Sequence, residues 1–236
     1  SNAYNTSIES WQDQTGKQLT YYGNVKLVPN ITLAGKRAAI FDGNGDYFEC
    51  RTALDSFTST SDKFTIEAIV NHNNTVTGEI FGLNSLSAGE NILLLETSQI
   101  TYNGTANSVI LPANTINHVA LVFDGTNLKY YINGVLSLTL SGSPSIPLKD
   151  CTFAIGTEYD TANYGSPGNY LIGTVYGARV TKSDRYTSNF TPPDNFEIDG
   201  SDVVFCTNFD TIYDSNYLMV QHMGDSLIDA TGNGNN

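Results

Sequence analysis

The chain has 236 residues, of which 40% are hydrophobic and only 15% charged, so its composition excludes a disordered polypeptide and predicts about one folded domain. Its formal net charge of −13 repels phosphate backbones, which argues against nucleic acid as a partner and suits cations or neutral ligands such as glycans. No apolar run reaches the roughly 18 residues that a membrane-spanning helix needs, so no membrane insertion is expected.

Runs rich in β-forming residues, separated by turn residues, predict an all-β chain without an amphipathic helix. The predicted strands outside the central region are Ala38–Phe41, Tyr47–Cys50, Phe64–Val70, Ile92–Leu95, Ser108–Ile110, Thr152–Ile155, Leu171–Thr181 and Val203–Phe209. Gly173 and Gly177 lie inside one of them, which predicts a bulge or a close approach of two backbones. This pattern is typical of a β-sandwich or jelly roll.

The clearest local signal is a three-strand meander between residues 118 and 140. The run His118–Phe123 turns at Asp124–Asn127 into Leu128–Ile132, and Asn133-Gly134 turns the chain again into Val135–Leu140. Asn-Gly between two strands is a strong hairpin signal because both central residues of a type I′ turn need a positive φ.

One turn resembles the opening of a calcium-binding loop. The run Asp42–Asp46 alternates Asp, Asn and Gly, but an EF-hand also needs Gly at its sixth position and Glu at its twelfth. This chain has Tyr47 and Ala53 there, so an EF-hand is excluded and a tight hairpin turn is expected.

We expect one domain over residues 4–209. Ser1-Asn2-Ala3 is typical of an expression-tag remnant, and the polar tail 210–236 is expected to pack on the domain or to begin a following segment. Cys50, Cys151 and Cys206 show no CxxC spacing, so we expect buried free thiols and leave a single bridged pair open.

Several phrases occur in an order that resembles laminin-G-like domains. Phe41–Tyr47 is similar to their F-D-G-x-x-D-Y turn, and Phe64–Val70 to their F-T-I-E-x-W-V strand, with Ile69 in the place of Trp. Further similar phrases are Asn117–Asn127 (W-H-H-V-A-x-V-x-D-G-T-N), Tyr131–Gly134 (Y-V-N-G), Gly173–Val180 (G-x-I-x-x-x-R-V) and Arg185–Pro193 (R-Y-T-x-x-F-T-P-P). The last phrase is frequent in laminin-G-like domains of phage and prophage structural proteins.

The resemblance implies an all-β fold, a two-sheet antiparallel jelly-roll β-sandwich of the concanavalin A-like type. It also implies a protein of a virion, or of the extracellular or cell-surface space. It names no ligand, because one fold carries many functions.

Catalysis is not expected. Some concanavalin A-like folds are glucanases with E-x-D-x-x-E on one strand, where alternation aims the carboxylates into one cleft. The nearest match is Glu197-Ile198-Asp199, which follows two prolines and precedes Gly200-Ser201, so it is typical of a turn. No G-x-S-x-G elbow occurs, and structural or surface roles are expected for His72, His118 and His222.

A calcium site is implied by a second resemblance, to pentraxins. Ile155–Asp160 resembles their L-G-Q-E-Q-D phrase, Asn169–Gly173 their Q-S-L-V-G, and Glu90–Leu93 their D-N-E-I-L. Carried over by position, the ligands would be Glu90, Asn91, Glu158, Asp160 and Asn169. Hard oxygen ligands of this kind suit calcium, although clustered acids on a loop are also common as a merely solvated surface.

The predicted ligand-binding residues are Tyr159, Tyr164, Asn169 and Tyr170, in a long loop over residues 157–170. Tyrosine rings stack on sugar faces while amides bind hydroxyl groups. The alternative is that these rings pack the loop onto the sheet.

The sequence leaves three alternative functions open. The first is a non-catalytic recognition module that binds carbohydrate or another surface ligand, such as a receptor, on a virion or cell exterior. The second is a purely structural capsid or tail domain that contacts other virion proteins. The third and most distant is a glycoside hydrolase.

Overall fold

The computed structural model describes residues 10–28, 38–73 and 77–209, so the predicted tag remnant and the tail 210–236 lie outside the described residues. Its strands form two antiparallel sheets of eight strands each and one separate hairpin. This confirms the two-sheet antiparallel sandwich that the resemblance implied. The described part of the chain contains no helix with the length and hydropathy of a membrane span.

Sheet A contains, in spatial order, β1 (Ser10–Gln12), β2 (Gln18–Tyr22), β5 (Tyr47–Glu49), β14 (Ala154–Ile155), β7 (Glu79–Asn84), β8 (Asn91–Glu96), β9 (Gln99–Tyr102) and β10 (Thr105–Ser108). Sheet B contains β13 (Val135–Ser141), β12 (Asn127–Ile132), β11 (Asn117–Phe123), β6 (Phe64–His72), β17 (Ile172–Thr181), β4 (Ala38–Asp42) and β3 (Lys26–Val28), with β18 (Val203–Thr207) paired to the second half of β17. The separate hairpin consists of β15 (Glu158–Thr161) and β16 (Gly165–Gly168).

The predicted meander is confirmed as β11, β12 and β13. Asn133 and Gly134 have φ values of 51° and 77°, as the Asn-Gly turn requires. The expected irregularity in β17 is also present: the register shifts between Val175 and Gly177. A Cβ on Gly173 would lie 2.4 Å from the carbonyl oxygen of Asn71 on the neighbouring strand.

Three local predictions are wrong. The turn after Asp42 joins β4 of sheet B to β5 of sheet A, so it crosses between the sheets and makes no hairpin. The predicted strand Ser108–Ile110 is mostly loop, because β10 ends at Ser108. The loop 157–170 contains the β15–β16 hairpin, whose strands are rich in Gly, Pro and Asp and carry no apolar alternation.

The core lies between the two sheets, and β6 shows how the sequence builds it. Phe64, Ile66, Ala68 and Val70 alternate along this strand and join the main apolar cluster. The residues between them point to the outer face of sheet B, yet they are buried too. The segment 183–199 therefore covers that face, with Phe196 packed beside Ile69 and with Tyr186 and Phe190 against β11 and β12.

A buried charge sits at the centre of this covered face. Glu67 has no exposed surface, and its carboxylate accepts hydrogen bonds from Arg179 Nε at 2.8 Å, His118 Nε2 at 2.9 Å and the Tyr186 hydroxyl at 2.9 Å. Burial alone would raise the pKa of Glu67, but His118 and Arg179 hold that pKa below its ordinary value. Glu67 therefore ties the covering segment to the sheet in its ionised form.

The three cysteines are free and buried in this structure. Burial raises the pKa of the Cys50 thiol to about 11 and that of Cys206 to about 12, so both stay protonated at neutral pH.

We predict that Glu67→Ala costs roughly 3–5 kcal/mol of unfolding free energy, because it leaves the Arg179 cation buried without its main partner. Asp124→Asn is the matched control, since the Asp124–Lys129 pair is partly exposed and its loss should cost under about 1 kcal/mol. Urea unfolding curves measure both. Equal losses for the two variants would contradict the assigned role of Glu67.

Candidate functional site

The β15–β16 hairpin lies directly on the outer face of sheet A. Gly82 makes this contact possible, because a Cβ at that position would lie 2.2 Å from the carbonyl oxygen of Thr157. Asn84 fixes the hairpin from the same strand: its Oδ1 accepts a hydrogen bond of 3.0 Å from the backbone N–H of Tyr159. The Thr157 hydroxyl donates to the carbonyl of Gly168 at 2.7 Å and so closes the base of the hairpin.

The far end of the hairpin touches the turn between β7 and β8. A Cβ on Gly89 would lie 2.7 Å from the carbonyl of Asp160, so the two backbones are in contact. Glu90 follows Gly89, and Asn91 accepts a hydrogen bond of 2.9 Å from Asn84. The pentraxin-like residues of the turn and of the hairpin therefore meet at one rim of sheet A.

The predicted calcium ligands at this rim differ in how exposed their side chains are. The side chains of Glu90, Asp160 and Asn169 are exposed, whereas Glu158 is buried. One oxygen of Glu158 contacts the amide of Asn169, and the other, Oε2, is buried without a hydrogen-bond partner. Burial raises the pKa of Glu158, and the nearby Asp160 and Glu96 raise it further.

The rim offers oxygen donors of the kind that calcium prefers, and the unpartnered Glu158 oxygen is a free ligand position. Among the described residues, however, no three His, Cys, Asp or Glu side chains are already arranged around one metal position. The exposed carboxylates of Glu90 and Asp160 would have to turn toward Glu158 to complete such a site.

Tyrosines form a continuous cluster beside the rim, which we call the tyrosine wall: Tyr22, Tyr47, Tyr159, Tyr164 and Tyr170. Tyr47 is the centre of the wall, with its ring stacked on Tyr22 at 4.4 Å and on Tyr170 at 6.2 Å. Tyr22, Tyr164 and Tyr170 are only partly buried. The wall therefore combines three partly exposed tyrosines with a buried base.

Tyr159 belongs to that base. Its side chain has no exposed surface, its ring stands perpendicular to that of Tyr47, and its hydroxyl donates to Glu49 at 2.8 Å. The ring cannot contact a ligand from this position, so Tyr159 does not fit the predicted ligand-binding role. It fits the alternative that its ring packs the loop onto the sheet. Asn169, Tyr164 and Tyr170 keep accessible surface.

Two further acids lie next to Glu158 under the hairpin. Glu79 and Glu96 are cross-strand partners on β7 and β8, and they are 0% and 4% exposed. Neither oxygen of Glu79 has a hydrogen-bond partner, while Glu96 accepts one each from Gln99 and Thr101 through a single oxygen. Burial raises the pKa of Glu79 well above its ordinary value, and the fields of Glu96 and Glu158 add to the shift.

The residues of the glucanase-like phrase lie elsewhere, in the segment that covers sheet B. Glu197 is exposed, and Asp199 forms ion pairs with Arg179 and Arg185. His118 is bound to Glu67, and His72 Nε2 lies 3.1 Å from the carbonyl of Leu111, while His222 lies outside the described residues. The structure brings none of these described side chains to the outer face of sheet A.

A family model described as the concanavalin A-like lectin/glucanases superfamily matches residues 42–182, which is more than half of the chain. The chain belongs to this superfamily. In sequence comparison with curated proteins, no relative matches significantly. The matched range contains the tyrosine wall except Tyr22, and it contains the whole rim.

Solved structures show the same fold in larger proteins. The enzymatically active domain of tailspike protein 2 from bacteriophage CBA120 is similar with a TM-score of 0.53 and 12% identity over 89% of this chain and 34% of the tailspike chain. A Trypanosoma rangeli sialidase mutant with trans-sialidase activity is similar with a TM-score of 0.51 and 16% identity over 78% of this chain and 30% of that chain.

A smaller domain is also similar: domain 4 of an extracellular arabinanase from Geobacillus stearothermophilus, in complex with arabinotriose, with a TM-score of 0.46 and 17% identity over 68% of this chain and 76% of that chain. This chain spans about a third of the tailspike and the sialidase. At these identities the similarity concerns the fold alone.

Sequence reasoning missed several residues of this face: Glu49, Arg51, Glu79, Asn84 and Glu96. A signal was present in β7, where Glu79-Ile80-Phe81-Gly82-Leu83-Asn84 is an apolar run with polar ends and a glycine in its middle. The residues that β7 contacts on this face belong to the hairpin; Tyr159, for example, lies 75 positions beyond its partner Asn84. No local sequence pattern can therefore predict these contacts.

We predict that the stability of the protein in EDTA falls as pH rises above about 4.5, with a component of up to about 1.4 kcal/mol per pH unit that belongs to Glu79. The folded state keeps a proton on Glu79 that the unfolded state has lost in this range, so raising the pH favours unfolding. Glu79→Gln should remove this component.

The control is Glu197→Gln, which makes the same side-chain replacement at an exposed position. Urea unfolding between pH 4 and pH 8 compares the three proteins. Identical pH slopes for wild type and Glu79→Gln would show that Glu79 titrates alike in both states.

Proposed function

We propose that this domain is a non-catalytic recognition module that binds carbohydrate through the outer face of sheet A, on a virion or cell exterior. The observation that carries the proposal is the tyrosine wall. Three partly exposed rings stand on a buried base beside exposed polar side chains, on a rigid two-sheet scaffold.

The wall suits sugars for a physical reason. Sugar rings have apolar C–H faces that stack on aromatic rings, and their hydroxyls need amide, carboxylate or phenol partners at the edges. Tyr164 and Tyr170 supply ring surface, and Asn169, which precedes Tyr170 in the chain, supplies an exposed amide. Because Tyr170 is held by stacking on Tyr47 and by a 2.9 Å hydrogen bond to Pro167, binding would cost little side-chain entropy.

A non-catalytic role is supported by the position of the acids. Glycoside hydrolysis needs two carboxyl groups that reach the scissile bond. Glu79 and Glu96 are buried, and Asp199 is held by two arginines on the other sheet. The superfamily includes both lectins and glucanases, so turnover of a polysaccharide remains the result that would replace this proposal with hydrolysis.

A location on a virion or cell exterior is supported by the Arg185–Pro193 phrase, which resembles phage laminin-G-like domains. The fold is also present in a phage tailspike. A purely structural virion role has its own supporting observation: Val135 and Leu136 are 55% and 43% exposed on the edge strand β13 and could pack against another virion protein.

Calcium at the rim is part of the proposal. Glu90, Asn91, Glu158, Asp160 and Asn169 would hold the ion through carboxylate and amide oxygens, and the ion would compensate the negative charge there. Bound calcium would supply a Lewis-acidic contact for sugar hydroxyls next to the tyrosine wall.

We predict that a glycan-array screen of the purified domain gives saturable binding, and that Tyr170→Ala weakens the best interaction at least tenfold by removing stacking surface (about 1.4 kcal/mol). Tyr170→Phe keeps the ring and its stacking on Tyr47 but loses the hydrogen bond to Pro167, so it should lose much less affinity than Tyr170→Ala. Leu136→Ala, on the far edge of the other sheet, should have no effect. A blank array would favour the structural role.

We predict that calcium raises the Tm of the domain by about 5–10 °C at roughly a hundred times its Kd, because it binds only the folded state. Asp160→Asn should lose most of this shift, whereas Asp194→Asn, an exposed acid in the cover of sheet B, should keep it. Differential scanning calorimetry with and without EDTA measures the shift. An unchanged wild-type Tm would exclude the rim site.

A further inference from the structure

An arginine at the edge of the tyrosine wall is held in a fixed position although most of it is exposed. Arg51 directly follows β5, and its side chain is 64% exposed. Its Nε donates to Oε1 of the buried Glu49, and its guanidinium carbon lies 4.5 Å from the centroid of the Tyr164 ring. An exposed arginine normally samples many rotamers, but here an ion pair and a cation–π contact restrict it.

Glu49, which holds this arginine, has hydrogen bonds to both of its carboxylate oxygens. Glu49 is 2% exposed, and its second oxygen accepts the hydroxyl of Tyr159 at 2.8 Å. The hydrogen bond from Arg51 to Glu49 raises the pKa of the guanidinium above its ordinary value, so Arg51 is always charged. Both oxygens of Glu49 are therefore in use, and Glu49 positions Arg51 without enclosing it.

The terminal nitrogens of Arg51 are the unused part. A guanidinium has five N–H donors, and within the described chain the hydrogen bonding of Arg51 is confined to Nε. Arg179 shows how an arginine with a purely structural role is bound in this protein. It is 3% exposed, its Nε donates to Glu67, and its Nη1 donates to the Glu197 carbonyl and to Asp199. Arg51 instead keeps the four N–H groups of its two terminal nitrogens without a hydrogen-bond partner among the described residues.

The planar fork of a guanidinium matches a carboxylate, which it binds through two parallel hydrogen bonds. The net charge of −13 repels anions at long range, but salt screens that field beyond about 8 Å, so the contact itself decides recognition. We propose that Arg51 makes this face selective for glycans whose sugar carries a carboxylate, with the carboxylate on Arg51 and the sugar ring on the neighbouring tyrosines. This inference rests on the proposed glycan-binding function.

The test is an array of uronate- and sialate-bearing glycans in which each acid is paired with its methyl ester, a neutral ligand of nearly the same shape. Wild type should bind the acids at least tenfold more tightly than the esters. Arg51→Gln should lose this preference and bind acid and ester alike, whereas Lys26→Gln, which removes an exposed charge on sheet B, should keep it.

The outcomes separate the two proposals. If no glycan binds at all, the proposed function fails and this inference fails with it. If glycans bind but wild type does not distinguish acid from ester, or if Arg51→Gln keeps the preference, only the role of Arg51 is overturned. The acid–ester comparison on the wild type needs no variant, so a poorly folded Arg51→Gln cannot obscure the answer.

Discussion

The candidate site depends on a backbone contact that only glycine permits. The β15–β16 hairpin rests on sheet A at Gly82, where any Cβ would collide with the Thr157 carbonyl. This contact lets Asn84 bind the backbone of Tyr159, puts the Tyr159 hydroxyl on Glu49, and thereby leaves Arg51 and Tyr164 in contact at the edge. A side chain at position 82 would lift the hairpin and remove the base on which the exposed rings stand.

The outer faces of the two sheets differ in how far they are covered and in whether their buried polar groups have partners. We assign a stabilising role to the outer face of sheet B and a recognition role to that of sheet A. On sheet B the segment 183–199 seals the face, and the buried Glu67 is satisfied by Arg179, His118 and Tyr186. Within the described residues, the outer face of sheet A carries the short β15–β16 hairpin, three tyrosines stay partly exposed, and Glu79 keeps two unpartnered oxygens. Burying a polar group without a partner lowers stability, and so does holding an exposed side chain in one conformation. Features of this kind are expected at functional sites rather than in parts that only stabilise the fold.

Sequence patterns predicted the parts of the fold that are set by local rules. The meander followed from alternation and from Asn133-Gly134, and β6 from its apolar run. The same rule would have revealed the β9–β10 hairpin, since Asn103 and Gly104 also have positive φ, but the strands beside them are short. The site was predicted only in part: a resemblance brought Asn91, Glu158 and Asn169 together, whereas Glu79, Glu96 and Arg51 join it through pairings far apart along the chain.

The central claim is that the outer face of sheet A, beside the hairpin, is the recognition surface. A crystal structure of the domain with its best-binding array oligosaccharide tests this most directly. If this face binds sugar, density should lie against the rings of Tyr164 and Tyr170 and within hydrogen-bond distance of Arg51 or Asn169. Sugar bound instead at the β10 or β13 edge, with the tyrosine wall vacant, would contradict it.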